Sequence, residues 1–120
     1  MRVFVCASAR WTDEAAIEAE LDALPEGETT ILQAKPDRQD NLAVAIAREY
    51  GMPVEDFTPH ALDATYHGRR VGRICMWRAL DTTPDLVLAF RLDRSSGISE
   101  IIREARRRAI AIKVIDQQRI

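Results

Sequence analysis

Short apolar segments alternate along this chain with segments that place apolar residues on one face only. In the second kind, apolar residues recur every three or four positions, as at Ile17, Leu21 and Leu24, which is the spacing of an amphipathic helix. The short segments have the length of single strands, and the strands predicted from them are Val3–Ala7, Thr29–Ala34, Pro53–Phe57, Asp85–Phe90 and Ala111–Ile115. The order predicted for the chain is therefore β-α-β-α-β-α-β-α-β.

Capping residues mark the ends of the predicted helices. Thr12 or Asp13 is expected to cap the start of the first helix, and Gly51 is expected to end the second. A third helix is predicted over Val71–Leu80. The segment Thr58–Arg69, which holds both histidines, shows no clear period and is predicted to be irregular.

Apolar strands separated by helices are typical of a parallel sheet that helices cover on both faces. Because crossovers between parallel strands are right-handed, the simplest α/β topology is a three-layer, doubly wound, Rossmann-like sheet of five mainly parallel strands in the order 3-2-1-4-5. The 120 residues fit one such domain, spanning 1–120. Ligands bind these sheets at the carboxyl ends of the strands where the winding direction changes, which here is between the first and fourth strands.

Composition limits the function classes. The two cysteines and two histidines are too scattered for a disulfide framework or a zinc site, so no metal or cofactor is expected. The chain shows neither a signal peptide nor an apolar run long enough to span a bilayer, which favours a cytoplasmic protein without membrane contact. An isoelectric point near 5.7 argues against nucleic acid as a partner.

The net charge of −2 conceals two opposed halves. Residues 1–63 contain 13 acidic and 5 basic side chains, a balance of −8, whereas residues 64–120 contain 6 acidic and 12 basic side chains, a balance of +6. A basic second half favours an anionic ligand, since arginine suits bidentate contact with phosphate. The opposed charges also favour self-association.

The switch-point rule points to the loops Ser8–Thr12, Lys35–Asp40 and Arg91–Gly97, and the first and last of them have residues suited to an anion. Ser8 follows the first strand and precedes a helix, where backbone N–H groups attract phosphate, although a plain capped turn is the alternative. The segment Arg91–Gly97 offers two serines, a glycine and two arginines, which indicates either an anion-binding turn or an exposed helix cap. The glycine motifs GxGxxG and GxxxxGK[ST] are absent from the chain.

Several other side chains have two interpretations each. The cluster of Arg69, Arg70, Arg73 and Arg78 forms either a phosphate clamp or a solvated helix face, whereas the solvated face is favoured for the arginines at 103 and 106–108. Asp13 and Asp40 suit either acid–base chemistry or the first turn of a helix. No serine nucleophile motif accompanies the histidines, so hydrolysis by a catalytic triad is not supported.

Four fragments, Val5–Leu24, Thr29–Arg48, Gly51–Phe57 and Asp85–Arg106, together resemble the YspA-like branch of the SLOG superfamily, which includes the DprA/Smf and Lonely-guy Rossmannoid proteins. The most recognisable pieces are Trp-Thr-Asp at 11–13 and the strand DLVLAF at 85–90. The resemblance implies a Rossmann-like fold and a pocket for a nucleotide-derived ligand, often in prokaryotic phage, mobile-element or defence settings.

The motifs of the family's pocket are largely replaced in this chain. The family's Gly-Ser-Arg is Ala7-Ser8-Ala9 in this chain, and the family's Arg-Asn pair falls on Cys75-Met76. Of the family's glycine-rich stretch this chain keeps only Asp40, and of its Arg-Gly-Thr element this chain keeps only Gly97. The Pro-Gly-Gly-x-Gly-Thr signature of the nucleotide-hydrolysing branch is absent. The Cβ atoms of Ala7, Ala9 and Ala34 block close approach of the backbone to an anion, and Pro36 removes a donor N–H from the loop that would hold it.

These observations favour a non-catalytic protein that binds or senses a phosphorylated nucleotide-derived small molecule. The residues predicted to line its site are Ser8, Arg10, Lys35, Arg38, Asp40, Arg91, Ser95, Ser96 and Gly97. The alternative is a phage or mobile-element interaction protein that reuses the fold to bind a host protein. A residual nucleotide N-glycosidase, dependent on Asp40, is a third hypothesis.

Overall fold

The computed structural model of the protein describes residues 1–37, 39–60 and 70–119. Arg38, residues 61–69 and Ile120 lie outside the described residues. One sheet is formed by β1 (Arg2–Ala7), β2 (Thr30–Ala34), β3 (Val54–Phe57), β4 (Leu86–Leu92) and β5 (Ile112–Gln117). The helices in the described part of the chain are α1 (Glu14–Asp22), α2 (Leu42–Glu49), α3 (Val71–Asp81) and α4 (Ser96–Arg107).

The five strands are all parallel and lie in the order β3-β2-β1-β4-β5. This order confirms the doubly wound, Rossmann-like topology expected from the alternation of apolar segments. Because β1 pairs with both β2 and β4, the chain leaves β1 in one direction and later returns to its other side. The winding direction therefore changes between β1 and β4, as predicted.

The helices cover the two faces of the sheet in pairs. Alternate side chains of β1 point to opposite faces, so Val3 and Val5 pack with α1 and α2, whereas Phe4 and Cys6 pack with α3 and α4. The central strands are buried on both faces, as expected for strands that are apolar throughout. The edge strands β3 and β5 are only partly buried, because each has a sheet neighbour on one side alone.

The predicted strand boundaries need one correction that affects the site. Strand β4 extends two residues beyond the predicted end at Phe90, because Arg91 and Leu92 continue in register with Asp116 and Gln117 of β5. Arg91 is thus a strand residue and not part of the following loop. Its polar side chain is tolerated there because it pairs with Asp116 across the two strands.

Most of the predicted caps are confirmed. Asp13 is the N-cap of α1, where its Oδ1 accepts a hydrogen bond from the backbone N–H of Ala16 at 3.1 Å. Gly51 follows the C-cap of α2 with a φ of 76°, a left-handed conformation that glycine adopts without strain. None of the helices in the described ranges combines the length and the apolar character that crossing a membrane would require.

Candidate ligand-binding cleft

An open cleft of about 730 Å³ lies at the carboxyl ends of the central strands. Its lining comes from the end of β1 and the loop after it, from the segment between β2 and α2, and from the first turns of α3 and α4. The volume falls within the range of small-molecule sites, roughly 300–1,000 Å³. The cleft therefore lies at the switch point between β1 and β4 that the sequence predicts.

Three helices begin at this cleft. Asn41, the N-cap of α2, lines it together with Arg70 at the start of α3 and Gly97 in the first turn of α4. The first N–H groups of a helix lack partners within it and carry partial positive charge. Three such helix ends therefore meet at the cleft, and their partial positive charge favours the binding of an anion.

Asn41 also fixes the position of α2 against the sheet. Its Oδ1 accepts a hydrogen bond from the backbone N–H of Val44 at 3.0 Å, and its Nδ2 donates to the carbonyl oxygen of Val5 at 3.2 Å. One side chain thus caps the helix and ties its first turn to β1. Sequence reasoning did not single out Asn41, although an asparagine directly before an apolar helical stripe is a recognised capping signal.

Of the predicted site residues, Ser8, Asp40 and Gly97 line the cleft. Ser8 is buried, and its Oγ lies 2.6 Å from the Oγ of Ser95 and accepts a hydrogen bond from the backbone N–H of Leu92 at 2.9 Å. Its hydroxyl therefore joins the loop after β1 to the turn after β4. Ser95 occupies the N-cap position of α4 but makes no side-chain cap bond, because its hydroxyl contacts Ser8 instead.

The turn between β4 and α4 brings Ser95 to Ser8 through an uncommon backbone conformation. Asp93 and Arg94 both have a φ of 52°, the left-handed region that non-glycine residues seldom adopt. Asp93 is held there by Arg119, whose backbone N–H and Nε donate to its two carboxylate oxygens at 2.8 and 2.6 Å. The tight turn thus depends on an ion pair with the residue shortly after β5.

The other predicted site residues lie outside the lining. Arg91 donates to Asp116 at 2.6 and 2.7 Å and to Ser99 at 3.2 Å, and Lys35 lies 3.0 Å from a carboxylate oxygen of Asp40. Arg10 is exposed. Ser95 and Ser96 are likewise not lining residues, and Arg38 is outside the described residues. A direct ligand contact by any of these residues remains a prediction.

The arginines that do line the cleft come from the start of α3. Arg73 forms an ion pair with Glu100, and its guanidinium lies 5.9 Å from the centroid of the Trp77 ring. Arg70 is exposed and has no ion-pair partner among the described residues. The sequence permitted either a phosphate clamp or a solvated face for this cluster. The placement of the α3 N-terminus brings Arg70 and Arg73 to the cleft lining but not Arg78, and Arg69 lies outside the described residues.

Apolar side chains form the remaining walls of the cleft. Met76 of α3 and Ile98 and Ile101 of α4 line one side, and Leu42 and Pro36 line another. These residues offer surface to a flat, weakly polar group, whereas the helix ends offer hydrogen-bond donors to a charged one. The cleft is therefore suited to a ligand with one apolar and one anionic part.

Asp40 belongs to a network of charged and polar groups at the edge of the cleft. Its carboxylate accepts hydrogen bonds from Gln33 Nε2 at 2.7 Å and from Arg48 Nε at 2.8 Å, in addition to the Lys35 contact. Partial burial opposes ionisation, but the bonds from Arg48, Gln33 and Lys35 outweigh it and hold the pKa of Asp40 well below its usual range. Asp40 is consequently a poor general acid or base near neutral pH.

Replacing Asp40 by asparagine should destabilise the protein by about 2 kcal/mol at pH 7, since charge-assisted hydrogen bonds to Arg48 and Lys35 are lost. The folded-state pKa is lowered, so the carboxylate's contribution is fully present above the unfolded pKa of about 3.9 and disappears as the pH falls toward the lower folded value. Urea unfolding of both proteins should therefore show a smaller difference at pH 3 than at pH 7. A pH-independent difference would contradict this assignment.

Cys6 is one of the lining residues of the cleft, but it is buried and its thiol is expected to be inert. Burial raises its pKa to about 12, so almost no reactive thiolate is present at neutral pH. Alkylation of Cys6 by iodoacetamide, followed by peptide mass spectrometry, should be roughly a hundredfold slower in the folded protein than in urea. Equal rates in both states would show that the thiol is accessible.

Within the described ranges, no group of three or more His, Cys, Asp or Glu side chains is placed to hold a metal ion. Comparison with models of known protein families found no match to the chain, and comparison with curated proteins also found none.

Proposed function

We propose that the cleft binds a small phosphorylated nucleotide derivative, and that the protein captures or senses this ligand without converting it. The observation that carries the proposal is the meeting, at one open cleft of about 730 Å³, of three helix N-termini and Arg70, which has no ion-pair partner among the described residues. The resemblance to SLOG proteins favours the same class of ligand.

The phosphate is expected at the starts of α3 and α4. There the backbone N–H groups near Gly72 and Gly97 supply donors, and the Arg70 guanidinium supplies a bidentate cation. Glu100 lines the same region but is paired with Arg73, so its charge is largely compensated. A phosphate at this point would face one arginine without a carboxylate partner among the described residues.

The nucleobase is expected against the apolar wall. Met76, Ile98 and Ile101 present aliphatic and thioether surface, which packs well on a flat ring. This division of the cleft, with charge at the helix ends and apolar surface beside them, matches the two chemical parts of a nucleotide. It also explains why a bare inorganic anion should bind more weakly.

The ionisable groups support binding without catalysis. Asp40 is held ionised by three donors, and Glu100 is engaged by Arg73. Ser8 contacts Ser95 and the backbone of Leu92, so no base activates it among the described residues. A proton-transfer role would require a group poised to change its charge near pH 7, which these contacts oppose.

Titration with adenosine and guanosine monophosphates, ADP-ribose and a cyclic dinucleotide tests the proposal by thermal shift and calorimetry. A ligand present at 100 times its dissociation constant adds about 2.7 kcal/mol, equivalent to a rise of roughly 10 °C in melting temperature. Arg70→Glu should weaken binding at least tenfold, whereas the matched charge change Arg106→Glu, on the exposed face of α4 away from the cleft, should not. A panel in which no compound stabilises the protein would overturn the proposal.

A further inference from the structure

The two layers of helices carry opposite charge. Helix α1 contains four acidic residues and no basic residue, whereas α4 contains three arginines and two glutamates and α3 contains two arginines and one aspartate. Because α1 and α2 cover one face of the sheet and α3 and α4 cover the other, the acidic and basic halves of the sequence become opposite surfaces. We call these the acidic face and the basic face.

Ion pairs within the molecule increase the difference in charge between the acidic face and the basic face. Every acidic residue of α3 and α4 is already paired with an arginine: Asp81 with Arg108, Glu100 with Arg73, and Glu104 with Arg107 and Arg108. The exposed Arg103 and Arg106 are left without an ion-pair partner among the described residues. The surplus charge of the basic face is therefore available to an external partner.

The acidic face has a corresponding surplus of unpaired negative charge among the described residues. Glu18, Asp22 and Glu49 are exposed, have no ion-pair partner in the described part of the chain, and surround Tyr50. Loss of hydration and then the charges of these three carboxylates raise the pKa of the Tyr50 hydroxyl, which reflects how closely they are grouped. The carboxyl-terminal ends of α1 and α2 line one cleft through Asp22 and Tyr50, and they add partial negative charge there.

Each face also exposes one large aromatic side chain. Trp77 on the basic face is 39% exposed, and Tyr50 on the acidic face is 46% exposed. Tyr50 lines a second cleft, of about 960 Å³, together with the acidic Asp22 and Glu26 and the apolar Leu21 and Met52. Exposed aromatic residues within charged surroundings are the usual anchors of protein interfaces.

We propose that the basic face of one copy of this chain binds the acidic face of a second copy, with Trp77 and Tyr50 as the apolar contacts. Charge complementarity favours a second copy, because one molecule carries both surfaces. The two faces lie on opposite sides of the sheet, so a two-fold dimer would bring only like surfaces together. The contact is therefore head-to-tail and leaves both outer faces open to further copies.

Sedimentation velocity at increasing protein concentration tests this association directly. At about 0.1 M salt, where charges act over about 10 Å, the average mass should rise with concentration above the 13.6 kDa of one chain without stopping at a dimer. At about 1 M salt, where that distance is about 3 Å, the protein should be monomeric. A monomer at every concentration in low salt would overturn the proposal.

Charge reversal on one face at a time identifies the surfaces. Arg103→Glu with Arg106→Glu, and separately Glu18→Lys with Glu49→Lys, should each yield a monomer, and mixing the two proteins should restore association. The control Arg10→Glu with Arg94→Glu has the same net charge as the first variant but alters the carboxyl edge of the sheet, so it should still associate. Equal loss in the control would show that net charge alone is responsible and would overturn the assignment.

Removal of the aromatic anchor supplies a test that leaves charge unchanged. Trp77→Ala should weaken self-association at least tenfold, whereas nucleotide binding in the cleft depends on Arg70 and should persist. Association that is insensitive to Trp77→Ala would exclude this aromatic contact. Because the two properties rest on different residues, failure of the association leaves the proposed ligand site untouched.

Discussion

Replacing Gly97 by tryptophan should abolish nucleotide binding while the protein stays folded. Gly97 lines the cleft in the first turn of α4, and a Cβ atom at this position would meet no atom within 4 Å. An indole there would occupy the space assigned to the ligand without displacing the backbone, so we expect affinity to fall roughly a hundredfold or more. Calorimetry with the nucleotide that gives the largest thermal shift measures the loss.

The matched control is Gly97→Ala, which adds only the Cβ atom. It should bind nearly as well as the natural protein, and stability should rise by about 0.4–1 kcal/mol because alanine loses less conformational entropy than glycine when the unfolded chain forms the helix. Unchanged binding by Gly97→Trp would show that the ligand lies elsewhere. An unfolded Gly97→Trp protein, detected by circular dichroism, would instead contradict the open space found at this position.

Replacing Phe90 by alanine should lower the free energy of unfolding by about 3–5 kcal/mol. Phe90 is fully buried near the carboxyl end of β4, and its ring meets Trp11 edge to face at a centroid distance of 5.5 Å and an angle of 63°. Truncation leaves a cavity and removes an aromatic pair, and a domain of this size has only about 5–15 kcal/mol of stability in total. Urea unfolding followed by circular dichroism provides the measurement.

Phe90→Ala should also disturb the loop after β1, which lines the cleft, because Phe90 supports that loop. The backbone N–H of Ser8 donates to the carbonyl oxygen of Phe90 at 2.9 Å, and Trp11 belongs to the same loop. Phe90→Leu, which fills most of the volume, should cost less than half as much stability as Phe90→Ala. Similar losses for leucine and alanine would show that ring volume is not the important property.

The order of strands and helices could be predicted because local patterns encode it. Apolar runs such as DLVLAF, helical repeats such as Ile17 and Leu21, and caps such as Asp13 and Gly51 act over a few residues, and the structure confirms each of them. Right-handed crossovers then restrict the topology to one simple order. The strand ends were less predictable, since β4 continues through Arg91 only because β5 offers Asp116 opposite it.

The position of the cleft was predicted from the sequence, but only some of its lining residues were. The switch-point rule located the cleft, and Ser8, Asp40 and Gly97 lie on it. Arg70 and Arg73 could be interpreted from the sequence as either a phosphate clamp or a solvated face, and Met76 was not expected at the site, because the approach of all three to β1 depends on where α3 packs. Arg91 and Lys35 were expected to face a ligand, yet Arg91 forms an ion pair with Asp116 and Lys35 forms one with Asp40. Asp116 is distant from Arg91 in the sequence, and the sequence alone does not show in which direction the side chain of Asp40 points.

Local residue patterns were sufficient to specify the elements of this protein, their order and the edge of the sheet where the cleft lies, because those features arise from short-range sterics and from handedness. Only the folded chain decided which charges remain unpaired and which way they face. Side-chain pairing joins residues far apart in sequence, such as Arg73 with Glu100 and Ser8 with Ser95. For the same reason, the opposed charges of the two sequence halves became opposite faces only once the helices were distributed across the sheet.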